Sequence, residues 1–223
     1  MALAGLAGVV AAQPVETVRE PLSETPFPVS LIPPGGASEQ RLTGTGLREV
    51  TVLFFPVHVY AFGLYVDARG ARASLSGFAG RSPGELAGDR SFYARLLDME
   101  IAMSLRLVMV RTIAGGDVAN AFDDSLRPRM TAADAGAGAA SRALDRFRSY
   151  FEAPEIATGT EIVFACAPPG RLTTTVGGDE QESIDSPALC RALFDVYLGT
   201  EPISVEGKKT MIAGFPDLLA APR

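Results

Sequence analysis

A chain of 223 residues, 47% hydrophobic and 21% charged, is long enough to bury a sizeable core and too apolar for global disorder. Its formal net charge of −6 and isoelectric point near 4.9 exclude nucleic acid as the main partner, because phosphate binding needs a concentrated basic face. One histidine and two cysteines rule out most zinc sites and any Ser-His or Cys-His catalysis that His58 does not serve.

In chain order, the first stretch is a short apolar run, MALAGLAGVVAAQPVE, with small residues at Val10-Ala11-Ala12. It fits a secretory cleavage site after Ala12, though without a basic n-region. The expectation is export, periplasmic or secreted, with cytoplasmic residence as the alternative. After residue 20 no apolar run reaches the eighteen or so residues of a bilayer span, so no integral span is expected. Residues 13–39 are rich in Pro, Gly, Ser and Glu and read as extended and irregular, with room for one edge strand. Regular order is expected from Arg41.

The stretch TVLFFPVHVYAFGLYV predicts strands near 50–55 and 57–67, with Pro56 at a bend between them. His58, between two valines, reads as a structural or surface side chain. Residues 83–97 suit one or two short helices. From Met99 to Ile113, large residues alternate with smaller or polar ones, which puts Met99, Ile101, Met103, Leu105, Leu107 and Met109 on one face of a strand. Such a face needs a cover.

Helices supply it. Asp117 is expected to cap a helix bearing Val118, Ala121, Phe122 and Leu126, stopping near Pro128. Gly115-Gly116 before it reads as a tight turn, since Asp117 would repel an anion there. A second helix over about 138–152 presents Leu144, Phe147, Tyr150 and Phe151; its arginines 142, 146 and 148 read as a solvated face. Three short strands follow, EIVFACAP, RLTTTVGG and QESI, separated by Pro-Pro-Gly and Gly-Gly-Asp turns. Ser186-Pro187 then opens a helix that Gly199 ends. A last helix runs over about 205–220. Cys166 and Cys190 are too few for a disulfide scaffold and are expected to be buried free thiols. Grouped helices with antiparallel strands make the class α+β.

No phosphate-binding loop or dinucleotide fingerprint is present, and composition and periodicity give no function. Motifs in order do. Phe27-Pro28, Pro33-Pro34-Gly35, LTGTGLRE at 42–49, VYAFGLYVD at 59–67, RLVMVRTIAGGDVANAFDDSL at 106–126 and SPALCRALFDVYLGTEPIS at 186–204 together resemble the chalcone isomerase-fold family. The likeness is nearest to its noncatalytic fatty-acid-binding branch and runs from Phe27 to Leu219.

The resemblance implies an open-faced β-sandwich domain over 27–223, with a large antiparallel sheet covered on one face by helices, preceded by an N-terminal segment over 1–26. It implies that Arg48 and Tyr60 hold the carboxylate of a fatty acid or similar small amphipathic carboxylate, with no cofactor. Ser186, Val118 and Ser125 fall at positions that contact ligand in the family. The ring-closing enzymes carry tyrosine and asparagine where this chain has Val118 and Ser125, and threonine where it has Tyr60. Wall candidates for an acyl chain are Met99, Met103, Leu107, Phe122, Phe147, Phe151, Leu189 and Leu193. Two alternatives stay open: an isomerase cyclising a chalcone or other small molecule with Arg48 as its polarising group, and an interaction protein without a ligand pocket.

Overall fold

The computed structural model describes residues 15–130 and 137–220; the apolar run with its expected cleavage site lies outside them. Strands β1 (Thr17–Arg19), β2 (Pro26–Pro28) and β3 (Ser30–Leu31) precede Arg41, so order begins earlier than expected. The Pro-rich arm is held by partners distant in sequence. Tyr65 donates its hydroxyl hydrogen to the Pro28 carbonyl at 2.9 Å, and Arg106 donates to Pro26 while its guanidinium lies 5.1 Å from the centre of the Phe27 ring. Phe27 thereby closes a small second core with Leu47, Ala61 and Tyr65.

Strands β4 (Gln40–Val52) and β5 (Phe55–Val66) form a long antiparallel ribbon whose turn is Leu53-Phe54, not Pro56. Pro56 sits inside β5 opposite Thr51. It is tolerated because β6 (Met103–Met109) pairs only with Tyr60 onward, so no second ladder needs its missing N–H. Helices α1 (Ala68–Ser74), α2 (Pro83–Gly88) and α3 (Arg90–Leu96) lie between β5 and β6. The alternating strand starts at Met103 rather than Met99, where φ is +57°, yet all six alternating large residues are buried in one core.

Next come β7 (Ile113–Ala114), α4 (Gly115–Leu126), α5 (Ala137–Ser149) and β8 (Glu155–Ile156). Ala114, not Asp117, is the N-cap of α4; Asp117 stands in its first turn. Helix α4 starts three residues early because Gly115 fits against the chain at 151–153, where a Cβ would lie 2.1 Å from the Ala153 oxygen. Strands β9 (Glu161–Ala167) and β10 (Arg171–Val176) follow as expected, while the third strand is split into β11 (Asp179–Glu180) and β12 (Ile184–Asp185). Helix α6 (Pro187–Leu198) is capped by Ser186 and ended at Gly199. The expected last helix is two, α7 (Val205–Ala213) and α8 (Phe215–Leu219), divided at Gly214.

The main sheet is antiparallel with order β11-β10-β9-β6-β5-β4-β3, and β12 also pairs with β10. Its principal core contains residues from β5, β6, β9 and helices α1 to α8, confirming the α+β class with a helical layer. Gly44 and Gly46 let α7 approach β4 backbone to backbone: a Cβ on Gly44 would stand 2.4 Å from the Thr210 carbonyl oxygen, and one on Gly46 would stand 2.6 Å from the Gly207 Cα. Cys166 on β9 and Cys190 on α6 are not free thiols. They form a disulfide with a Cα separation of 6.1 Å, because both face the same interior from sheet and helix.

Candidate functional site

The β4–β5 ribbon carries a bulge. Arg48 pairs with Tyr60 and the next residue, Glu49, pairs with His58, so Val59 has no partner in the ladder. Strict alternation would point Val59 and Tyr60 to opposite faces; the bulge lets both line one cavity. That cavity, about 200 Å³, lies between the sheet and helices α4 and α6. Arg48, Val50, Val59 and Tyr60 contribute from the ribbon, and Leu107, Met109 and Ile162 from the neighbouring strands. Val118, Ala121, Phe122 and Ser125 contribute from α4, and Val196 and Ile203 come from α6 and the segment after it.

Its lining is mostly apolar, with opposite charges on two different elements. Arg48 and Asp117 are the only charged residues of the lining, and Asp117 is exposed at the start of α4. Leu107, Ile162 and Val196 are at most 2% exposed and make an apolar floor. Arg48 donates to the Ile203 carbonyl at 3.2 Å, which leaves further guanidinium donors for a ligand. The Tyr60 hydroxyl lies 3.0 Å from that of Tyr197, a residue 1% exposed on α6 whose ring packs edge-on against Phe62. Burial pushes the Tyr60 phenol up, against the opposing pull of its Tyr197 hydrogen bond and of Arg48. Burial likewise pushes Tyr197 well up, helped by Tyr60. Both phenols are therefore neutral hydrogen-bond donors at physiological pH.

All five tyrosines of the chain are shifted upward, burial being the largest cause for each. Folding raises these values above the ordinary value near 10, so the stability they contribute is whole below pH 10 and lost as pH climbs past it. An ultraviolet pH titration should show less tyrosinate at pH 10 in the folded chain than in the denatured one, then a rise that coincides with unfolding. Half-ionised phenols at pH 10 in a folded protein would contradict this burial.

Of the ligand-binding candidates, Arg48, Tyr60, Val118, Ser125 and Phe122 are brought together in this lining. Two are not. Met103 is fully buried in the core, and Ser186 is spent capping α6, its oxygen accepting from the Leu189 N–H at 3.2 Å. The same helix reaches the cavity at Val196 instead, ten residues on. Among the proposed wall residues only Leu107 and Phe122 line the cavity. Met99, Phe147, Phe151, Leu189 and Leu193 belong to the packed interior. Sequence reading missed Val59, Val196 and Tyr197; the i, i+1 pair at the bulge has no periodic signal. His58 is the half-exposed neighbour of Glu49, with Nε2 3.5 Å from its carboxylate, and does not line the cavity. No cluster that could hold a metal occurs among the described residues.

Comparison with known proteins places these features in a family context. The chalcone-flavanone isomerase family model matches residues 22–218. A chalcone–flavanone isomerase of Oryza sativa subsp. japonica is 27% identical over 204 residues, covering 87% of this chain and 88% of its own. Fatty-acid-binding protein 1 of Arabidopsis thaliana is 28% identical over 201 residues, covering 88% and 70%. A crystal structure of an Arabidopsis thaliana fatty-acid binding protein superposes with a TM-score of 0.79 at 28% identity, over 92% of this chain and 99% of that one.

Proposed function

This chain belongs to the chalcone-flavanone isomerase family, and within it we propose a noncatalytic binder of a fatty acid or similar amphipathic carboxylate. The observation that carries the reading is a mostly apolar cavity whose one cation, Arg48, stands beside the neutral phenol of Tyr60, with Asp117 and Ser125 as the other polar side chains on α4. A carboxylate meets Arg48 through charge-assisted hydrogen bonds and Tyr60 through its hydroxyl. Asp117 on the opposite element disfavours an anion there, which orients the head toward Arg48. The tail runs over Leu107, Ile162 and Val196.

Chalcone cyclisation has less support. It needs donors aimed at a developing enolate; Arg48 and Tyr60 can serve, but Val118, where the resemblance places a tyrosine in the ring-closing enzymes, offers none. The cavity also argues against a pocketless interaction protein. Its 200 Å³ exceeds the roughly 150 Å³ that admits benzene and falls short of the roughly 300 Å³ lower bound of drug-sized sites, favouring medium chains. Ten methylenes contribute on the order of 8 kcal/mol before ordering costs, enough for micromolar binding.

Calorimetry of delipidated protein should give saturable one-to-one uptake of laurate, with palmitate no tighter. Steady turnover of naringenin chalcone, abolished by Arg48→Ala, would move the reading to an isomerase. Uptake of neither would favour the interaction protein. We further propose an oxidising compartment, periplasmic or extracellular, on the ground that a Cys166–Cys190 disulfide persists there. Recovery of both thiols in alkylatable form from native material would remove that assignment.

A further inference from the structure

The tip of the β4–β5 ribbon carries four consecutive exposed apolar residues: Val52, Leu53, Phe54 and Phe55 are 50%, 82%, 96% and 72% exposed. Other large apolar residues exposed among the described ones stand singly, as on any surface. The two turn residues have φ of +48° and +73°. A two-residue hairpin turn with both central residues at positive φ is adopted readily by Asn-Gly or Asp-Gly, and at a conformational cost by Leu-Phe. Turn formation therefore does not account for this pair, nor does folding, since Leu53 and Phe54 cover nothing. From Val50 to Val57 the ribbon has no charged residue, and the Glu49–His58 contact marks where polarity resumes.

The placement links the tip to the cavity. Arg48 and Tyr60 lie on the same two strands, and Val50 and Val59 line the cavity between them and the turn. Val50 is three residues from Leu53, about 10 Å along a strand. We infer that the ribbon tip inserts into the interfacial layer of a lipid bilayer, holding the cavity at the surface from which an amphipathic carboxylate is drawn. A narrow protruding tip fits a fluid apolar medium, whereas a protein partner would have to supply a matching groove. No cation lies in the tip and the chain is net acidic, so the fitting surface is a zwitterionic one. The purpose of the contact rests on the fatty-acid reading; the contact itself does not.

The chain has no tryptophan, so Phe54→Trp places at the tip a single tryptophan, excited apart from the five tyrosines at the red edge of absorption. Phosphatidylcholine vesicles should shift its emission to the blue in a saturable way. Emission unmoved at high lipid would overturn the inference, as would a blue shift that grows with protein concentration alone, the mark of tip-to-tip pairing between two copies. In co-sedimentation with the same vesicles, Phe54→Asp should partition at least tenfold less than the natural chain. Its laurate affinity in lipid-free buffer should be unchanged. Vesicle binding without laurate binding would leave the docking surface standing and remove the fatty-acid reading. Laurate binding without vesicle association would do the reverse.

Discussion

Arg48→Ala should weaken laurate binding by between tenfold and about a hundredfold, read by calorimetry, with the fold retained. A hydrogen bond to a charged group contributes about 1.5–3 kcal/mol, and each 1.4 kcal/mol is a factor of ten. The guanidinium already gives one donor to the Ile203 carbonyl, which holds it against the cavity so that little ordering remains to be done on binding. Substitution also frees that carbonyl, at a point half-exposed to water, so the stability loss should stay near 1 kcal/mol. Arg48→Lys keeps the charge and loses the planar fork; its affinity should fall between the two. An unchanged dissociation constant in Arg48→Ala would defeat the clamp while leaving the fold assignment intact.

The double substitution Cys166→Ala with Cys190→Ala should cost about 3.5 kcal/mol of stability. The bond joins residues 24 apart in sequence, and closing a loop of that size in the unfolded chain is worth about that much in the chain-entropy description. For a chain of this length each kcal/mol moves the thermal midpoint by about 2–4 °C, so a fall of roughly 7–14 °C is expected. Ligand binding should suffer as well, because α6, anchored at its start by Cys190, carries both Val196 and Tyr197 to the cavity. Reducing agent should destabilise the natural chain and leave the double variant unaffected. A midpoint that does not move in either experiment would show that the two cysteines are unpaired.

Where periodicity dominates, the sequence was readable. The alternation through Met103, Leu105, Leu107 and Met109 located a central strand and its buried face, and Ser186-Pro187 with Gly199 located α6 at both ends. Errors arose where tertiary contacts outweigh local preference. The Pro-rich arm is ordered by Tyr65 and Arg106 from distant strands, and a proline near the free end of β5 is cheap because only one neighbour is there to be paired. Helix α4 begins at Gly115 because a neighbouring backbone presses on it, a constraint invisible in local pattern.

The site was half legible. Arg48, Tyr60, Val118 and Ser125 followed from the family resemblance carried by ordered motifs, and Phe122 from its helical spacing as a wall candidate; all five line the cavity. Ser186 lies outside this lining because it caps α6, where its hydroxyl oxygen accepts from the Leu189 N–H. The bulge at Val59 could not be read from alternation, since it is a break in alternation. Tyr197 sits among the apolar residues of α6 and looks like core; its hydroxyl matters only because the fold brings Tyr60 within 3.0 Å.

A crystal structure of the laurate complex is the most direct measurement. Density should place the carboxylate within hydrogen-bond reach of both the Arg48 guanidinium and the Tyr60 hydroxyl, with the hydrocarbon running over Leu107, Ile162 and Val196. A carboxylate out in solvent, or an acyl chain bound elsewhere while this cavity keeps only water, would contradict the account.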